Sequence, residues 1–307
     1  FEQTNNSNTD VKFYNLYHYH YFKPQQNLTY TLGASYESYQ DNEDSSFDAD
    51  KFNPKLGISW SPTNRITLRA AYFTTLQKRN ISASAPEPSL EPTSVAGFNQ
   101  FYYTEFPAGF SKRSGIGLDY RATNRISLGF EAMYAEHEPI LTGFDPTMLQ
   151  FVTKSLDWTE LNASSYLNWA INNQYTLSIE YQYEDYDRDD DINFTGVEAF
   201  TNLRTHRIPI SLNYFDPSGI SAKIKASYID QKGDYLNDQD PPGTLQISDN
   251  FWVLDAEISY KLKNQRGIVS LVGKNLTDEE FTFQDTDPAN PRILPDRYAL
   301  IRYQFRF

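Results

Sequence analysis

The densest set of potential ligands in this 307-residue chain is DRDDDINFTGVE. Asp187, Asp189 and Asp191 fall at positions 1, 3 and 5 of a twelve-residue calcium loop, with Glu198 at position 12. That spacing lets one loop gather carboxylate and carbonyl oxygens around a hard divalent cation. Position 6 is Ile192, where the tight turn calls for glycine, and the flanking residues alternate as strands do rather than as helices. Calcium in an extracellular loop is therefore the one metal expectation, set against the plainer reading of a solvated acidic loop. No other cofactor is expected.

Covalent catalysis has less support. The four histidines are His18, His20, His137 and His206, and no Gly-x-Ser-x-Gly elbow or His-Glu-x-x-His helix is present. His18 and His20 share one strand face and could ligate a metal together; the plainer reading puts them in a lumen or at its rim among aromatics. No nucleophile, base and orienting acid can be assembled, so no enzyme is expected. The absence of cysteine rules out a disulfide framework and a thiolate metal site. A net charge of -13 argues against nucleic acid as a partner.

What remains is a large set of charges that alternate with apolar residues. Lys55, Arg69, Arg113, Asp119, Glu131, Glu160, Glu180, Arg207, Lys223, Lys225, Asp255, Glu257, Arg302 and Arg306 all fall on the polar side of their segments. They would either line a solute pathway or pair across strands to fill and stiffen an interior.

The elements that carry these charges are strands. Period-2 alternation runs from about residue 10 to the last residue. It is broken alternately by short turns and by long polar loops. The short turns are KPQQN (23 to 27), SPTNR (61 to 65), RATNR (121 to 125), INNQ (171 to 174), FDPSG (215 to 219) and KLKNQ (261 to 265). The long loops are 40 to 51, 75 to 111, 137 to 154, 184 to 200, 230 to 250 and 277 to 296. Between them lie segments 10 to 22, 27 to 39, 52 to 61, 65 to 75, 112 to 121, 125 to 136 and 156 to 170. The series continues with 174 to 184, 201 to 214, 219 to 229, 250 to 261, 265 to 276 and 297 to 307.

The face opposite the charges is aliphatic in mid-strand and aromatic toward the ends, as in Leu28, Tyr30, Leu32 and Tyr36, or in Ile126, Leu128, Phe130 and Tyr134. Such a face is a lipid-facing band with aromatic girdles. A soluble sandwich also alternates but has no reason to sort short turns from long loops. The fold expected is all-β: a transmembrane antiparallel up-and-down β-barrel of about 14 strands, with short periplasmic turns and long extracellular loops, in the bacterial outer membrane. Residues 1–9 read as a polar lead-in and 10–307 as the barrel. Outer-membrane lipid and lipopolysaccharide are the expected surroundings.

Three stretches are less regular. Residues 265 to 276 are apolar on both faces, so their orientation rests on Ser270 and Lys274 pointing inward. Pro209 lacks a ladder donor and suggests a bulge or a local edge. Residues 76 to 111 leave the strand count odd; either a strand lies upstream of Phe1, or this segment supplies a hairpin that enters the wall or folds over the pore.

LVGKNLTDEEFTFQDTDPANPRILPDRYALIRYQFRF, residues 271 to 307, resembles the last two strands and final loop of TonB-dependent outer-membrane receptors. FNPKLGISWSPTNRITLRAAYFTTLQ (52 to 77) is similar to that family's P-K-x-G-x-x-W-x-P strand, turn and return strand, and SLEPTSVAGFNQF (89 to 101) to its L-x-P-E region. The resemblance implies the C-terminal part of a receptor barrel, normally of about 22 strands, with a plug upstream. A weaker resemblance is to exporters that carry periplasmic helical repeats before a C-terminal barrel. The terminal aromatic strand resembles the signal read by the barrel-assembly machinery.

The function expected is a channel or transporter that passes a polar solute or polymer through a charged lumen. One alternative is the barrel part of a TonB-dependent uptake receptor whose plug lies elsewhere. Another is a structural or surface-anchor barrel with a filled interior.

Overall fold

A computed structural model describes residues 11–41, 48–76, 91–100, 109–145, 149–155, 157–188, 199–237, 243–262, 266–283, 293 and 296–305. Among them are strands β1 (Val11–Gln25), β2 (Leu28–Asp41), β3 (Ala49–Thr63), β4 (Ile66–Leu76), β5 (Ser94–Val95) and β6 (Phe98–Asn99). Next come β7 (Phe110–Arg121), β8 (Ile126–Glu138), β9 (Ile140–Asp145), β10 (Gln150–Ser155), β11 (Trp158–Ala170) and β12 (Tyr175–Arg188). The series ends with β13 (Ala199–Phe215), β14 (Ile220–Asn237), β15 (Gly243–Lys261), β16 (Gly267–Lys274) and β17 (Tyr298–Phe305). No helix occurs among the described residues.

Thirteen strands form one sheet in the order β1-β2-β3-β4-β7-β8-β11-β12-β13-β14-β15-β16-β17, and β5-β6 and β9-β10 are separate two-stranded hairpins. Every sheet neighbour is antiparallel, and apart from β4–β7 and β8–β11 every one is also the next strand in sequence. This is the up-and-down pattern. The thirteen segments picked out by alternation coincide with the thirteen wall strands. Among the described residues no ladder joins β1 to β17.

Local chemistry sets the turns at one end. In the two Thr-Asn-Arg turns the threonine hydroxyl accepts from the backbone N–H two residues on, Arg65 to Thr63 at 3.2 Å and Arg125 to Thr123 at 3.1 Å. Asn172 Oδ1 accepts from the N–H groups of Gln174 and Tyr175 at 2.8 and 2.9 Å. In the Phe215–Gly219 turn the Asp216 carboxylate accepts from the Ser218 N–H at 2.8 Å and the Tyr214 hydroxyl at 2.9 Å.

At the other end the strands outrun the expected loops. β14 reaches Asn237 and β15 starts at Gly243, so most of the loop expected at 230 to 250 is paired strand. The loop expected at 137 to 154 contains the β9–β10 hairpin. Both faces of these extensions carry polar residues, so hydrophobic alternation, the signal used to find strands, is absent although the backbone ladder continues.

Pro209 makes neither a bulge nor an edge. It sits in a central strand, paired with Ser227 on β14. On the β12 side the ladder passes from Ile179–Ile210 to Gln182–Arg207 without the two intervening pairs and without a change of register. A missing proline donor is accommodated by a short lapse in pairing. The Arg207 guanidinium donates to Gln182 Oε1 beside the gap.

The two faces differ in their solvent. Leu56, Ile116, Ile224, Ile258 and Leu271 stand on one face with roughly half or more of their surface uncovered, and Ile301 with 75%. Aromatic pairs bracket them: Tyr175–Tyr214 rings 5.0 Å apart toward the short turns, and Tyr228–Trp252 rings 5.2 Å apart toward the long loops. So continuous an apolar surface is not stable against water; its solvent is lipid. The opposite face buries charged and polar groups, among them Lys55, Arg113 and Arg207. Within β16, Ser270 and Val272 face inward and Leu271 outward, and Ser270 Oγ meets Ser259 Oγ at 2.7 Å.

Candidate functional site: the inner wall and its two in-folded segments

Two stretches that follow wall strands turn back onto the inner face. The first is residues 91–100, the described part of the segment that made the strand count odd. It adds no wall strand. Its β5–β6 hairpin lays Val95 and Phe98 against Ala71 and Phe73, with Tyr19, Ala96 and Met133 around them. The wall is shaped for this contact. A Cβ on Gly115 would stand 2.6 Å from the Phe98 ring, and one on Gly57 would stand 2.9 Å from the Ala96 Cβ; only glycine lets the segment approach this closely. The Arg69 guanidinium covers the other side of Phe98, 5.2 Å from its centroid.

Glu91 anchors this segment. Its carboxylate accepts from the Tyr19 hydroxyl at 2.6 Å and Asn15 Nδ2 at 3.0 Å, and lies 3.8 Å from Lys55 Nζ. Gln100 closes the other end, accepting from Tyr19 through Oε1 at 3.0 Å and donating to the Pro92 carbonyl. Lys55 in turn donates to the Thr74 carbonyl at 2.6 Å, and Asn53 Nδ2 donates to Glu37 Oε2 at 2.6 Å. Glu37, Asn53, Lys55, Glu91 and Gln100 are buried and each has a hydrogen-bond or ion-pair partner, the condition under which polar groups can be withdrawn from water.

The second in-folded stretch follows β16. Phe281 stacks on Phe251, rings 4.2 Å apart and 3° from parallel, and Phe283 and Ile293 complete a cluster with Ile229 and Val253. The Thr282 N–H donates to Asp249 at 2.6 Å. Asn275 begins the turn, exchanging hydrogen bonds of 2.9 Å with the backbone of Glu279. The long loop expected at 277 to 296 is thus partly an inner-wall lining.

The predicted charges now have positions. Lys55 and Arg113 lie sealed on the side covered by the first in-fold. Arg69 joins Glu131 at 3.0 Å and Asp119 at 3.5 Å, and Tyr166 donates to Asp119 at 2.9 Å. Glu160 accepts from the Trp158 indole at 3.0 Å, and Glu180 from Gln182 at 3.1 Å. Lys223 stands opposite Glu257 and Lys225 opposite Asp255 in the β14–β15 ladder. Asp255 pairs with Lys274 at 2.8 Å and Glu257 accepts from Ser259 at 2.9 Å. Arg302 lies opposite Ser270, and Arg306 lies outside the described residues. These charges thus meet partners both along their own strands and across neighbouring strands of the wall.

The calcium expectation fares differently. Asp187 is a β12 residue paired with Thr159, whereas Asp189, Asp191 and Glu198 lie outside the described residues. Among the described residues no cluster of three metal-ligating side chains occurs. His18 and His20 are not lumen residues: they share the outward parity of Tyr14 and Leu16 on β1, while Asn15 and Tyr19 point inward to Glu91.

Between the two in-folds, part of the inner wall is left uncovered by the described residues. Asn162, Ser164 and Asn168 on β11 are exposed. Toward the short turns this strip opens into a polar hollow of about 500 Å³, whose lining includes Asn168, Ser178, Glu180, Ser211, Asn213 and Lys223.

A sheet with apolar exterior, aromatic borders and charged interior is the wall of an outer-membrane β-barrel. The sequence profile of the family described as TonB dependent receptor-like, beta-barrel, matches residues 2–276. The chain belongs to that family and, with it, to the bacterial outer membrane. No curated protein matches the chain. Solved structures do. The FrpB iron transporter from Neisseria meningitidis (F3-3 variant) aligns with TM-score 0.66 at 11% identity, over 96% of this chain and 45% of that one. The siderophore receptor PirA from Acinetobacter baumannii aligns with TM-score 0.64 at 9% identity, over 97% and 46%. The ferric-catecholate import receptor Fiu from K12 E. coli, in its closed form, aligns with TM-score 0.62 at 14% identity, over 97% and 45%. This chain spans less than half the length of these three structures, and at such identities the likeness is one of fold.

Proposed function

We propose that this chain supplies a large part of the wall of a TonB-dependent receptor that takes up a polar ligand across the outer membrane, without covalent chemistry. The observation that carries this reading is the division of one continuous sheet into a lipid-soluble face and a hydrogen-bonding face. Among the described residues the inner face keeps exposed polar groups, Asn162, Ser164 and Asn168, beside the two segments folded over it. A surface anchor with a filled interior has no use for such groups.

The family resemblance adds a plug and an energy-transducing partner, whose contacts would involve protein beyond the described residues. The ends of the wall suit two further partners. β17, with Tyr303 and Phe305 directed outward, is suited to recognition by the barrel-assembly machinery. The aromatic-bordered exterior is suited to outer-membrane lipid and lipopolysaccharide. Calcium in the acidic loop that begins at Asp187 is a separate proposal: added calcium should protect that loop from protease, and unchanged cleavage would remove the idea.

Depletion of polar solutes from the culture medium tests the transport reading. Three strains are compared: one with the intact gene, one without it and one lacking the TonB energy transducer. A solute depleted only when both gene and transducer are present supports the reading. Identical depletion in all three contradicts it.

A further inference from the structure

The polar hollow of about 500 Å³ toward the short turns has an unbalanced lining. Arg121 and Arg125 bracket the β7–β8 turn, and Lys223 enters from β14. Against these three cations the lining supplies one carboxylate, Glu180, which accepts from Gln182 at 3.1 Å. Arg125 donates to the Ile171 carbonyl at 3.3 Å. Among the described residues none of the three cations is in an ion pair.

Lys223 also lines a second hollow of about 110 Å³, together with Lys225, Lys274, Asp255 and Glu257. There Asp255 is taken by Lys274 at 2.8 Å, and Glu257 accepts from Ser259 at 2.9 Å. Glu257 stands opposite Lys223 in the ladder without closing to an ion pair. Cations therefore outnumber carboxylates in both hollows, in a chain whose net charge is -13. Cations grouped on a low-dielectric wall focus a positive potential and enrich anions. The neutral groups of the larger hollow form cross-strand pairs, Ser178 Oγ with Asn168 Oδ1 at 2.6 Å and Asn213 Nδ2 with Thr176 Oγ1 at 3.2 Å. Guanidinium and ammonium donors beside hydroxyl and amide groups suit a carboxylate or phosphate carried by a polar molecule.

We infer that this hollow is an anion site, in which Arg121, Arg125 and Lys223 hold a carboxylate or phosphate group at the short-turn end of the wall. The inference rests on the proposed reading of the inner face as a lumen and goes further by giving its ligand a charge and a place. The anion belongs either to a passing solute or to a carboxylate on another part of the receptor, and the test separates the two.

The chain contains no cysteine, so a single substitution reports one position. The full-length protein in outer-membrane preparations is labelled with water-soluble thiosulfonates, one anionic and one cationic, with citrate or inorganic phosphate as competitor. Relative to Gln26→Cys in the exposed first turn, Ser178→Cys should favour the anionic reagent about tenfold or more, the lower range of electrostatic focusing in a charged cleft. Either competitor should slow the reaction at Ser178→Cys. Adding Arg121→Gln and Lys223→Gln should abolish both effects. If Ser178→Cys is inert and reacts once those two cations are removed, the occupant is a carboxylate of the receptor itself.

A preference equal to that of the turn overturns the site. So does a preference that neither competitor slows, because a potential without occupancy is not binding. Inertness that persists after both cations are removed overturns it as well. Ile179→Cys, on the outward face of β12, tests the lumen reading separately. If it reacts as fast as Ser178→Cys, the face assignment fails; if it stays inert, a failure at Ser178→Cys belongs to the anion site alone.

Discussion

The Tyr19 hydroxyl donates to Glu91 Oε1 across 2.6 Å, tying the first wall strand to a segment 72 residues later in the chain. That bond, with those of Asn15 and Lys55, holds the first in-folded segment to the inner wall. Removing only the hydroxyl in Tyr19→Phe should cost about 1.5 to 3 kcal/mol, the range for a hydrogen bond to a charged acceptor. Glu91→Ala should cost more, because Lys55 loses its counter-charge and Tyr19 its acceptor in a buried setting. Urea unfolding of the reconstituted protein measures both, and equal, negligible effects would show that Glu91 is not an anchor.

Gly115 is required by shape. Gly115→Val should push the Phe98 ring off the wall and destabilise by about 1 to 3 kcal/mol, the usual cost of overpacking. The adjacent Ser114→Val points into lipid and should be close to neutral. The same unfolding measurement distinguishes the two.

Outward and inward positions should respond oppositely to charge. Ile116→Arg places a cation in the lipid-facing band and should cost about 2 to 4 kcal/mol near the bilayer midplane. Asn168→Arg, on the bare inner strip, should cost far less. The folded fraction after insertion into phospholipid vesicles reports the difference.

The Phe215–Gly219 turn carries a pH signature. Hydrogen bonds from the Ser218 hydroxyl and N–H, and then from Tyr214, hold the Asp216 carboxyl below its ordinary pKa. A depressed folded pKa means stabilisation that is complete above the unfolded value, about 3.9, and is lost as pH falls through the folded value. Wild type should therefore exceed Asp216→Asn in stability at neutral pH, and the gap should close in acid. A gap that is constant across the titration would contradict this origin.

Sequence alternation sufficed for the wall strands because each has one face in lipid and one in a polar interior, which imposes a period of two. It failed where polar residues occupy both alternating sets of positions, as in β9, β10 and the outer part of β14. It also failed for the in-folds, whose contacts are long-range: nothing local marks Phe281 as the partner of Phe251, or Glu91 as that of Tyr19. A readable trace did exist in Gly57 and Gly115, residues without a side chain on the inward parity of their strands. His18 and His20 were misplaced because β1 is polar on both faces near them, leaving parity undetermined until Asn15 and Tyr19 were seen to reach Glu91. The pairing of the charges depends on strand register, which alternation alone does not supply.

The central claim is that one face of this sheet meets lipid and the other a polar lumen. A nitroxide scan along β12, from Thr176 to Tyr183 in reconstituted bilayers, tests it most directly. Leu177, Ile179, Tyr181 and Tyr183 positions should be relaxed by oxygen dissolved in lipid, and Thr176, Ser178, Glu180 and Gln182 positions by a water-soluble nickel chelate. A period-two exchange between the two relaxers is the predicted result; uniform access to the chelate at all eight positions would contradict it.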